Sequence, residues 1–258
     1  MEDSKIVFDT FENIVRRTSS YIFSLSYRLT GSYDEANDLL QETFLKAWKN
    51  LDLLKDKQKV IPWLRKICVN QYIDSYRKTK REHFINDPVF PHMEYNIVSD
   101  APTPEDELLA DEEMRLIHSQ CWTIVTRALP LYQQIVLVLI DIYKLNIKET
   151  SILIKRSPSA TKSLLHRARK AMEGQLIPYC DILNRDNICK CRSWIQFAHD
   201  IHRRQEYLKQ IAASCINSNK NIKPTKKKLI AVFNNLPQHV PPSKWIEEII
   251  KILHNANQ

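Results

Sequence analysis

Glycine is almost missing from this chain: its 258 residues contain two, Gly31 and Gly174. Tight hairpins and phosphate-cradling loops both lean on glycine, for left-handed backbone and for close approach. A chain this poor in it is expected to be all-α, and glycine-dependent nucleotide folds are argued against. There is also no run of about 18 apolar residues, so no membrane insertion is expected. The stretch MEDSKIVFDTF lacks the basic-then-apolar order of a secretory signal. A reducing, cytoplasmic setting is therefore the default, and the six cysteines are expected as thiols rather than disulfides. Disorder is excluded by composition, since 43% of residues are hydrophobic and 26% charged. That length and composition allow two small domains and a tail.

The net charge of +8 is unevenly placed. Residues 55–81 hold nine Lys/Arg against two Asp, and residues 142–170 hold eight against one Glu. Between these blocks, residues 82–113 contain ten acids and no Lys or Arg. Two basic blocks around an acidic spacer suit a protein that touches nucleic acid at two places. The bland alternative is a set of solvated helix faces.

Apolar residues from Phe8 to Leu29 recur at three- and four-residue steps, which predicts a long amphipathic helix ending at Thr30-Gly31. Ser32 and Glu35 have capping-box spacing and start a second helix that buries Ala36, Leu40, Phe44, Ala47 and Leu51. A third runs from Pro62 to about Lys80. Residues 1–81 are thus expected as a first domain, and the proline-rich acidic residues 82–104 as a linker. Thr103-Pro104 restarts a helix, Pro130 opens the apolar LYQQIVLVLI, and Asn146 and Ser157 open two short helices of helix-turn-helix proportions. These form a second domain over residues 105–175. Residues 176–258 are read as a basic, Cys/His-containing extension ending in an amphipathic segment after Pro241-Pro242.

Two stretches carry chemistry. Asp38 to Trp48, DLLQETFLKAW, places acid and amide groups on one helix face, which DNA would repel and a protein could use. In the helix from Pro158 to Met172, Ala160, Leu164, Leu165, Ala168 and Met172 can face the core. Ser159, Thr161, Lys162, Ser163, His166, Arg167, Arg169 and Lys170 can face outward. With Ser157, the short hydroxyl residues near its start suit base edges, and the later basic ones suit phosphates.

Here the chain resembles a known family. The pattern LP…QIVLVLI…YKLNIKETSILIKRSPSATKSLLHRARK is similar to the C-terminal DNA-binding domain of bacterial sigma factors of the extracytoplasmic-function (ECF) group. YRLTGSYDEANDLLQETFLKAW and PWLRKICVNQYIDSYRKTKR resemble their N-terminal domain. The resemblance spans about residues 8–175. It implies two helical domains that bind core RNA polymerase and promoter DNA, with an anti-sigma factor as a further candidate partner. By position, Asp38, Gln41 and Glu42 would dock on polymerase, supported by Leu39, Phe44 and Trp48. Trp63, Asn70, Tyr72, Asp74, Tyr76, Arg77, Lys78 and Arg81 would meet the minus-ten element, the aromatics supporting an unstacked strand. The Ser157–Lys170 residues would meet the minus-thirty-five element. The chain departs from the family in having Ala160 and Leu164 where Thr and Arg are frequent. It also has Leu145-Asn146 where glycine is frequent, Asn tolerating a left-handed backbone.

In the extension, Cys180, Cys189, Cys191 and His199 offer soft and imidazole ligands enough for tetrahedral zinc, structural or sensory, although Cys-x-Cys is not a standard finger spacing. No cofactor is required by the expected activity. The reading is a promoter-specificity subunit without covalent chemistry. The alternatives are a helix-turn-helix regulator acting apart from polymerase, and a metal- or redox-sensing regulator working through the tail.

Overall fold

A computed structural model describes residues 2–79, 119, 122–123, 125–176 and 239–255, and among these every regular element is helical. The all-α expectation holds. Helix α1 (Glu2–Thr30) stops where Gly31 takes φ 70° and its N–H donates to the Tyr27 carbonyl at 2.7 Å. A left-handed residue there carries no Cβ penalty only if it is glycine. Ser32 then accepts from the Glu35 N–H at 3.5 Å, capping α2 (Tyr33–Trp48) with Asp34 and Glu35 in its positive first turn. Two short 3₁₀ turns follow, the second set by the Asp56 carboxylate accepting from the Gln58 N–H at 2.9 Å. They lead into α3 (Val60–Thr79), whose Pro62 sits in the first turn, where a missing N–H costs nothing.

These three helices share one core. Phe11 meets Phe44 edge-on at 6.4 Å and Trp48 at 5.2 Å, closing one end of the α1–α2 pair. On the α3 side, Leu64, Cys68, Val69 and Tyr72 are buried. Burial pushes the Cys68 thiol up to about 11, with Ser26 Oγ 3.5 Å from its sulfur, so this cysteine is an inert packing residue.

A fourth helix completes this unit and comes from the far end of the chain. The amphipathic segment after Pro241-Pro242 is a helix (Ser243–Asn255), and it clusters with α1, α2 and α3. Trp245 lies 5.6 Å from the Phe23 ring, Ile249, Ile250 and Leu253 are buried, and Arg16 forms a two-pronged pair with Glu247 at 2.7 and 3.3 Å. Each buried apolar side chain is worth on the order of 1.5–3 kcal/mol, whereas the exposed ion pair adds little. Just before it, His239 stacks 4.1 Å from Tyr27, donates its N–H to Ser24 Oγ at 3.3 Å, and shares a hydrogen bond with the Tyr33 hydroxyl at 3.2 Å.

The second unit holds α4 (Leu131–Leu137), α5 (Ile147–Leu153) as far as Ile152, and α6 (Pro158–Leu176). Trp122, Val125 and Leu129 join Leu131, Ile135, Val136 and Leu137 in its core. After Leu137 the backbone widens into a π-helical turn, Val138–Ile142, closed by the Tyr143 N–H on the Val138 carbonyl at 3.1 Å. Among the described residues no helix is long and apolar enough to cross a membrane.

His239 generates a pH prediction. Burial, with Arg28 nearby, holds its imidazole down to about 3 from an ordinary 6.5. The docked segment therefore keeps a neutral ring, while an undocked one would take up a proton below about 6.5. Stability is full above that value and falls as pH drops toward 3. Between pH 7 and pH 5 the segment is expected to lose on the order of 1–2 kcal/mol of docking free energy. Trp245 fluorescence followed through an acid titration, with His239→Phe as the insensitive control, checks it.

Candidate nucleic-acid and protein interfaces

Helix α2 turns its two faces to different uses. Leu39 and Phe44 are buried and hold the helix down, while Asp38 and Glu42 are exposed and Gln41 and Trp48 half-buried. Asp34, Asp38 and Gln41 follow one another at four- and three-residue steps, and Glu42, four residues after Asp38, completes a single acid-and-amide stripe. Its edge is fixed by a relay that the sequence reading missed. Lys46 donates to Gln71 Oε1 at 2.6 Å, and Gln71 donates to Glu42 Oε2 at 3.5 Å, tying the stripe to α3. The Glu42–Lys46 spacing was a visible signal for one half of it; the Gln71 half is long-range.

On α3, Lys66, Asp74, Arg77 and Lys78 are exposed, and Trp63, Asn70 and Tyr76 half-buried. Asp74 and Arg77 stand 3.9 Å apart, both largely solvated, so their contact is loose. Arg65 is committed elsewhere: its Nε donates to the Tyr21 hydroxyl at 2.7 Å and its guanidinium lies 5.4 Å from that ring. Tyr72 corrects the sequence reading. It is 4% exposed, with its ring 6.4 Å from Tyr76, so it packs the core and does not reach a strand. The step from Val69 to Tyr72 to Ile73 keeps it on the apolar side of the helix. Arg81 lies outside the described residues.

In the second unit, α5 and α6 have the helix-turn-helix spacing expected. Asn146 Oδ1 accepts from the Glu149 N–H at 2.9 Å while Glu149 Oε2 accepts from the Asn146 N–H at 3.0 Å, a reciprocal cap. The left-handed position before α5 falls on Lys144 (φ 58°) and leaves Asn146 free to cap. A second, Lys155 (φ 53°), makes the turn between the helices, where the Arg156 N–H reaches the Ser151 carbonyl at 3.0 Å. The Arg156 guanidinium rests 4.9 Å from the Tyr132 ring centre. Ser157 then caps α6 by accepting from the Ala160 N–H at 3.1 Å.

The inward row of α6 is Thr161, Leu165, Ala168 and Met172. Thr161 was expected outside and is fully buried; its hydroxyl donates to the Ser157 carbonyl at 3.0 Å, so burying it leaves no polar group unmet. Ala160 and Leu164, expected inside, are half-exposed. Arg169 is a further correction. It makes two hydrogen bonds to Asp141, through Nε to Oδ2 at 2.9 Å and through Nη2 to Oδ1, so it fastens α6 to the π turn and is not offered to phosphate. Asp141 holds the Arg169 guanidinium charged by hydrogen bonding, against its partial burial. The outward row that remains is Ser159, Lys162, Ser163, His166, Arg167 and Lys170, all exposed. Lys148, Lys155 and Arg156 are also exposed and are legible only as part of the basic block.

Cys180, Cys189, Cys191 and His199 lie outside the described residues. Among the described ones, no group of His, Cys, Asp and Glu could hold a metal ion.

Both units match family models: Sigma-70 region 2 over residues 14–82, and Sigma-70, region 4 over residues 125–172. The chain is 31% identical over 172 residues to the ECF RNA polymerase sigma factor SigW of Bacillus subtilis, covering 65% of this chain and 89% of that one. It is 29% identical over 164 residues to SigM of the same organism, covering 64% and 93%. With SigE of Mycolicibacterium smegmatis it shares 25% over 171 residues, 65% of this chain and 62% of the relative.

Among the described residues of the second unit, the Asp141–Arg169 pair is an exacting polar contact, because the carboxylate side chain is 4% exposed. Asp141→Ala strands a partly buried guanidinium. Since Arg169 keeps some access to water, the expected loss is about 1–3 kcal/mol, short of that for a fully buried pair. Chemical denaturation measures it, and Asp141→Ala/Arg169→Met is expected to recover part of the loss.

Proposed function

The chain belongs to the ECF RNA polymerase sigma factors, and from that premise we propose how its surfaces divide the family's work. As a sigma factor it binds core RNA polymerase and directs promoter-specific transcription initiation. The observation that carries the division is one of charge: an exposed acid-and-amide stripe on α2 in one unit, and an exposed basic row on α6 in the other. DNA repels the first and attracts the second. Asp38, Gln41 and Glu42 therefore meet polymerase, positioned from beneath by Leu39 and Phe44 and flanked by Trp48. The α6 row enters the major groove at the minus-thirty-five element, where Ser159, Lys162 and Ser163 lie nearest base edges and Arg167 and Lys170 neutralise phosphates.

Helix α3 takes the minus-ten element. Asn70, Asp74, Arg77 and Lys78 form its polar side, and Trp63 and Tyr76, half-exposed, are the aromatics able to support an unstacked base. The role is one of binding, with no covalent step assigned to any residue. A chain that acts on core polymerase and promoter DNA acts in the cytoplasm, and an anti-sigma factor is a partner compatible with that setting. No cofactor is needed for these contacts.

One experiment separates the two surfaces. Asp38→Ala is expected to weaken core-polymerase binding about tenfold, the size of a typical interface anchor, and to leave promoter-DNA affinity alone. Arg167→Ala is expected to leave polymerase binding intact and to lower the salt slope of promoter binding by about 1. Unchanged polymerase affinity in the Asp38 variant would remove α2 from the docking role.

For the tail we propose a zinc ion held by Cys180, Cys189, Cys191 and His199, supported by the donor chemistry of three thiolates and an imidazole. Elemental analysis of protein purified without added zinc is expected to find about one equivalent, lost in Cys189→Ser. Metal-free protein would end the idea.

A further inference from the structure

Between Ile22 and Thr30, α1 is buried on every side, polar residues included: Ser24 and Arg28 are only 4% and 2% exposed. A helix packed by two neighbours keeps one face in water. Here that face is covered by the segment from His239 to Leu253, which runs antiparallel to α1. His239 sits at Ser24 and Tyr27, Trp245 at Phe23, and Glu247 at Arg16. The segment also touches the start of α2 through Tyr33.

We infer that residues 239–255 are a resident fourth helix of the polymerase-docking unit, seated both before and during polymerase binding, and not a lid that has to lift. The second half of this rests on the docking role proposed for α2. Three observations carry it. The anchors are spread along the whole segment, so no single contact acts as a latch. The groups beneath it are partly polar: Ser24 Oγ accepts from the His239 N–H, and that bond would have to be replaced by water on release. Last, Asp38 and Glu42 stay exposed and Gln41 half-exposed with the helix in place, so lifting it would uncover none of them. The groove formed by Phe23, Tyr27 and Tyr33 is consequently filled by the chain itself. A partner acting on this unit must bind another face or displace Trp245 and His239.

Hydrogen exchange of the full chain, free and bound to core polymerase, tests it. Amides of residues 22–30 and 243–255 are expected to be protected in the free chain and equally protected in the complex, while those of residues 34–45 slow further. Loss of protection over 243–255 on complex formation, or its absence in the free chain, overturns the inference. If the chain fails to bind polymerase at all, the docking role of α2 falls, and the free-chain protection still decides whether the helix is resident. Trp245→Ala is expected to speed exchange of residues 22–30 about tenfold. Because that variant could also loosen the core, the solvated Arg16–Glu247 pair gives a milder check. Glu247→Arg should speed exchange over 243–255 and leave residues 60–79 unchanged, and adding Arg16→Glu should restore it; no difference between single and double variants counts against the seat.

Discussion

The burial of α1 on all sides from Ile22 to Thr30 is the constraint on which the first unit depends. One helix supplies core to three neighbours at once: Phe23 and Tyr27 lie against Tyr33 at the head of α2 and also face the C-terminal segment, and Ser26 stands against Cys68 of α3. Gly31 follows from this. A helix buried to its last turn must reverse at once, and the reversal needs the left-handed residue that hydrogen-bonds back to Tyr27. The reversal in turn delivers Ser32 and the first acids of α2 to the place where the acid-and-amide stripe begins. The position of Asp38 is thus set by packing that ends eight residues earlier.

The second unit solves a similar positioning problem with charge. Its described core mixes aliphatic side chains with buried polar ones such as Gln134 and Thr161, and apolar packing by itself tolerates repacking and does not single out one rotation of a helix. Asp141 and Arg169 add direction. A π turn at Val138–Ile142 keeps Asp141 inside, and Arg169 meets it from α6. That contact fixes the rotation of α6, and with it which residues point outward. The cost is a basic side chain withdrawn from the surface, which the exposed Lys162, Arg167 and Lys170 make good.

Much of this was legible before any coordinates, because it is local. Capping at Ser32, Asn146 and Ser157, the stop at Gly31 and the apolar run after Pro130 depend on a few neighbouring residues and were read correctly. So was the family, through two motif blocks in order. What escaped notice depends on partners distant in sequence. Arg169 looks like any phosphate-binding arginine until Asp141, 28 positions away, is placed beside it. Thr161 looks polar until its own turn satisfies its hydroxyl, after which its methyl behaves like that of valine. Tyr72 has a polar tip and an apolar body, and the sequence does not say which the fold will use. The C-terminal helix was visible as amphipathic, but nothing in its residues names α1 as the surface it covers.

These corrections change what the recognition helix can read, if it reads DNA as proposed. With Thr161 turned inward and Arg169 occupied, the outward row is Ser159, Lys162, Ser163, His166, Arg167 and Lys170. It contains no Asn or Gln, the side chains that pair with both the acceptor and the donor of adenine. It is rich instead in donors, which suit the two acceptors of guanine and the phosphates beside them. Serine at two positions can serve any base, so it adds contact without much choice. A helix so equipped discriminates at the few base pairs within reach of Lys162 and His166, and elsewhere relies on the backbone. Its preference should therefore be narrow in extent, and its affinity strongly dependent on salt, since most of that affinity comes from charge. The half-exposed Ala160 and Leu164 fit the same picture, because small and apolar side chains at the groove can meet a thymine methyl but make no hydrogen bonds there.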